Sequence, residues 1–150
     1  MNRQIEFRGK RKDNKEWVYG NFVEKVNYIG GGTQTCIQTF THRADGTDMW
    51  MEVFESELIE VEPNTVGQFI GLVGEHNRKI YEGDIIRIRE TQHEDWFVGE
   101  VKYFSEGDYP AFDLKPSIEC DSNGLSYAMA CCEVEIIGNI TDNPELLKGE

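Results

Sequence analysis

A chain of 150 residues with 39% hydrophobic content fits one domain of average size, or two very small ones. Its net charge of −13 disfavours a general grip on a phosphate backbone. No apolar run approaches the roughly 18 residues of a membrane-spanning helix, so no membrane partner is expected.

The polar, basic start from Met1 to Lys12 lacks the apolar stretch of a signal peptide, and a cytoplasmic setting is expected. Cys36, Cys120, Cys131 and Cys132 form no paired CxxC spacing and read as reduced thiols. Adjacent on a strand, Cys131 and Cys132 would point to opposite faces. The charge is uneven. Residues 1–15 hold Arg3, Arg8, Lys10, Arg11, Lys12 and Lys15 against Glu6 and Asp13, a net of +4, which leaves −17 for the remainder.

Helical periodicity is almost absent, whereas period-two alternation and turn signals recur along the chain. Ile5 and Phe7 share a face of a first strand, and Asp13-Asn14 supplies the turn into a second, Glu16 to Val26. There Trp17 and Tyr19 face one side and Val18 the other. Gly30-Gly31-Gly32 offers positive φ angles for a hairpin into Gln34–Phe40. Asp45-Gly46 predicts a further hairpin into a strand over Met49–Phe54. Residues 1–62 therefore read as an antiparallel meander, closed by the acidic stretch Glu55–Glu62 and by Pro63-Asn64.

Residues 63–79 read as a connector whose Gly67, Gly71 and Gly74 pack tightly at a junction. They lack the GK[ST] ending of a phosphate loop. Residues 80–150 read as a second β subdomain. Glu82-Gly83-Asp84 turns the chain into Ile85–Arg89, where Ile86 and Ile88 alternate with Arg87 and Arg89. Strands at Trp96–Phe104, Ala111–Lys115 and Cys132–Ile140 follow, with Gly99 read as a bulge or a sharply coiled position. Asn143 before Pro144 predicts the N-cap of one short helical turn, with Leu146 and Leu147 pinning it down. The expected fold is mainly β: a meander, then a small, partly open SH3-like barrel, with very little helix.

Three segments carry a family resemblance: FRGKRKDNKEWVYGN (Phe7–Asn21), VGQFIGLVGEHNRKIYEGDIIRI (Val66–Ile88) and VEIIGNITDNPELL (Val134–Leu147). They resemble the YopX family of small phage and prophage proteins. The resemblance implies a compact, strand-rich accessory protein of a bacterial host cytoplasm, and brings no catalytic set with it. Where the family usually has a glycine in the polar turn, this chain has Glu75-His76-Asn77-Arg78. Asn77 tolerates the left-handed conformation that such a turn needs.

Candidate chemistry is sparse. Glu82 with Asp84, and the second triplet Glu106-Gly107-Asp108, offer carboxylates for acid–base work or a cation, but each lies where an exposed turn is expected. His42, His76 and His93 are scattered, and no His/Cys pair has metal-ligand spacing. No serine sits in a GxSxG elbow. No catalytic residue, metal or cofactor is therefore expected. Trp96, Tyr103 and Tyr109 are the candidate row of binding aromatics, with Glu82 and Asp84 beside them.

The expected function is non-enzymatic binding of a host or phage protein, or self-association into a homo-oligomer. The alternative is an acidic mimic of DNA, with Glu52, Glu55, Glu57, Glu60 and Glu62 standing in for phosphates. Direct contact with nucleic acid would fall to Arg8, Lys10, Arg11 and Lys12 alone.

Overall fold

The computed structural model describes residues 4–26, 29–43, 53–90, 95–105 and 110–148. It divides into two compact units, residues 2–68 and 69–150. The division falls inside the expected connector. The Asp45-Gly46 hairpin, residues 49–52 of the fourth predicted strand, His93, the Glu106–Asp108 triplet and Tyr109 lie outside the described residues.

In the first unit β1 (Phe7–Lys10), β2 (Trp17–Val26), β3 (Thr33–Arg43) and β4 (Val53–Glu60) pair antiparallel in the order β4-β3-β2-β1. The start of β5 (Gly67–Val73) lies on the far side of β1, with Phe7 opposite Gln68. The meander is thus formed as the alternation predicts. Both of its first turns are where expected: Asn14 Oδ1 accepts from the Glu16 amide at 3.0 Å, and Gly31 and Gly32 take φ of 64° and 132°.

One boundary differs. The strand expected to end at Phe54 runs on to Glu60, through the stretch read as an acidic boundary. Alternation explains its end: Ile59 stands opposite Ile37 and both are buried, while Leu58 and Glu60 on the other face are exposed and half-buried. Among the described residues, Ile37, Ile59, Val61 and Cys36 are the buried apolar residues of this unit. Close approach of backbone at Gly20 permits it, since a Cβ there would lie 2.1 Å from the Gln38 carbonyl oxygen.

In the second unit the later half of β5 pairs with β6 (Lys79–Tyr81), and the Phe69 and Tyr81 rings stand 5.8 Å apart. Between them the turn holds both His76 and Asn77 at positive φ. Gly71 is required for its φ of 90°, at the irregularity of the β5–β6 pairing. Open space surrounds it, so the expected tight packing is not its reason.

The remaining strands are β7 (Asp84–Glu90), β8 (Phe97–Phe104), β9 (Ala111–Lys115) and β10 (Cys132–Asn139), ordered β10-β7-β8-β9. All four were legible in the sequence. They form an open antiparallel sheet, and among the described residues neither sheet closes into a barrel. Gly99 pairs in regular register with Ile86, and the register shift falls instead in β10 between Ile136 and Gly138. Gly99 is small because the Phe97 ring would stand 3.0 Å from a Cβ there.

A helix, α1 (Gly124–Cys131), covers the inner sheet face, where Leu125 and Ala128 join Ile86, Ile88, Val101, Leu114 and Val134 in one apolar cluster. Sequence periodicity missed it because eight residues with little amphipathic bias leave no 3.6-residue signal. Its end corrects the cysteine reading: Cys131 closes the helix and Cys132 opens β10, so they do not share a strand. All four cysteines are free thiols.

Candidate binding site

Of the described candidates, Glu82 reaches the Tyr103 backbone, while Trp96 stands on the other face along that strand's line. Trp96 and Tyr103 stand seven positions apart on alternate faces of the β8 segment, with Phe97 and Tyr103 of one parity and Trp96 of the other. Tyr103 is taken up by an edge-to-face contact with Phe112, centroids 5.1 Å apart. Asp84 is 2% exposed, and its Oδ2 accepts from the Tyr81 amide at 2.9 Å. Gly83 donates to the Val101 carbonyl and accepts from the Ile140 amide. The EGD turn is a buried fastening. Glu82 Oε1 accepts from the Tyr103 amide at 3.4 Å.

The basic tip is likewise committed. Arg8 is buried with its guanidinium 4.8 Å over the Trp17 ring, and Arg11 is held by Asp13 at 2.8 Å. Lys12 pairs with Glu60 at 2.6 Å and Lys15 with Glu62 at 2.9 Å. The proposed phosphate mimic thereby gives two of its five carboxylates to lysines of the same chain.

What does converge is a pocket of about 390 Å³ in the second unit, beside α1. Strand alternation builds it. Ile88 and Glu90 share the inner face of β7, the register puts Phe97 opposite Ile88, and Cys132 stands opposite Glu90. Tyr127 enters from α1 and Ile118 from the segment before it, while Asp95 and Trp96 form the rim. The helix is fixed there by Asp113 of β9, whose Oδ1 accepts from the Leu125 amide at 2.9 Å, and by the N-cap Asn123, which accepts from the Ser126 amide at 2.8 Å.

Glu90 Oε1 accepts from the Tyr127 hydroxyl at 2.7 Å. That bond, with the charge of the carboxylate behind it, pushes the Tyr127 phenol up to about 12. Burial pushes the Cys132 thiol up, and the Glu90 charge adds to it. Both groups stay protonated near neutral pH. A protonated thiol is a poor nucleophile, and so tightly held a phenol is a poor acid–base catalyst.

On the opposite face of β7, Arg87 and Arg89 lie 4.5 and 4.7 Å from the Trp96 ring centroid. Each is also held by a carboxylate across the β7–β10 register, Glu135 at 2.6 Å and Glu133 at 2.6 Å. Of the pocket's lining the sequence had singled out Trp96 alone. A signal for Glu90 was present, because the parity of Ile86 and Ile88 carries an ionisable residue to an inner position.

Among the described residues no group of three or more His, Cys, Asp or Glu is placed to hold a metal ion. No described helix is long and apolar enough to cross a membrane.

Among the described residues, two antiparallel sheets, one α-helix and a side pocket in the second unit define a mainly-β protein. The chain belongs to the YopX family, whose model, described as YopX protein, matches residues 6–148. Its fold is similar to the crystal structure of protein EF1440 from Enterococcus faecalis, at 21% identity and a TM-score of 0.53, covering 97% of this chain and 99% of that one. No curated protein matches the chain.

Proposed function

We propose that this chain is a phage or prophage accessory protein that acts in the host cytoplasm by binding a protein rather than by catalysing a reaction. The observation that carries the reading is the chemistry of the pocket. Its walls are apolar and aromatic with a few placed polar groups, as binding cavities are. Yet its thiol and its phenol are both held in their protonated forms by burial and by Glu90. Such a cavity recognises a group without activating it.

The acidity of the whole chain supports a basic protein partner over a nucleic acid strand. The test is affinity purification of the tagged protein from bacterial host cells, with and without nuclease, read by mass spectrometry. The expected result is one protein recovered in near-equal amount in both samples. Recovery of the bait alone, together with a strict monomer by light scattering, overturns the reading.

A further inference from the structure

We draw no further inference here: the strongest candidate, the pocket beside α1, belongs to the site already described, its carboxylate Glu90 is engaged by Tyr127, Arg87 and Arg89 stack on its rim residue Trp96, and nothing in the structure shows what covers it.

Discussion

Lys12 and Glu60, 48 residues apart, meet with Nζ 2.6 Å from Oε1. Beside them Lys15 meets Glu62, and the backbone completes the junction: Lys12 N donates to the Glu60 carbonyl and Glu62 N to the Lys10 carbonyl. Thr65 is buried underneath, accepting from the Lys10 amide at 2.8 Å and donating to the Glu62 carbonyl at 2.7 Å. The basic opening segment and the acidic end of β4 are thus two sides of one junction.

Stability should therefore depend on pH at both ends of the scale. The Lys15 hydrogen bond holds Glu62 below its ordinary 4.5, and the Arg11 hydrogen bond holds Asp13 below 3.8. A depressed carboxylate contributes stability above its unfolded value, and loses it as pH falls through the lower folded one. The Glu60 hydrogen bond raises Lys12 above 10.5, so its contribution is complete below that value and is lost as pH rises through the raised one. The urea midpoint should fall below 4.5 and above 10.5. Lys15→Met should shallow the acid limb. The pairs are exposed, so the difference should fade near 1 M salt, where the screening length is about 3 Å.

Tyr127 gives a direct reading of the pocket. Its phenol should ionise near 12 rather than at the ordinary 10, and Glu90→Gln should return it toward 10 by removing both the charge and the strong acceptor. Ultraviolet titration of wild type and Glu90→Gln, each corrected by its Tyr127→Phe counterpart, isolates this one of six tyrosines. A wild-type Tyr127 that titrates with the other tyrosines would mean that the bond to Glu90 is not formed in solution.

The strands were legible because each buries one face. Ile86 and Ile88 against Arg87 and Arg89 is a clear period-two pattern, and β7 lies where it predicts. The His76-Asn77 turn was legible for the same local reason, since few residues tolerate the φ it needs. Helix α1 was hidden because its position is set by tertiary bonds, Asp113 accepting from the Leu125 amide and Asn123 donating to the Phe112 carbonyl, and not by its own apolar stripe. The pocket was hidden with it. Glu90, Phe97, Tyr127 and Cys132 come from four elements, joined by the β7–β8 and β7–β10 registers and by the Tyr127–Glu90 bond.

Asp84 and Glu82 should separate sharply on substitution. Asp84→Ala leaves the Tyr81 amide without its carboxylate acceptor in a buried turn, at a cost of about 1–3 kcal/mol. Asp84→Asn keeps an acceptor oxygen and should lose less. Glu82→Gln, at a partly exposed position whose bond to the Tyr103 amide is long, should lose less than Asp84→Ala. Urea unfolding decides it. Equal losses at both positions would show that the turn is not fastened through Asp84.

Asp113 couples the fold to the pocket. Its carboxylate accepts from Leu125 at 2.9 Å and Gly124 at 3.3 Å, satisfying two amides at the start of α1 that have no partner within the helix. Asp113→Ala should cost about 0.5–2 kcal/mol, as loss of a helix cap does. It should also loosen the helix that carries Tyr127, so the Tyr127 phenol should titrate closer to 10 than in wild type. Asp113→Asn retains an acceptor for Leu125 and should keep most of both properties. A variant that loses stability with Tyr127 unmoved would place the cap's effect in the first turn of α1 alone. A joint loss would mean that one carboxylate on β9 holds the pocket's far wall in position.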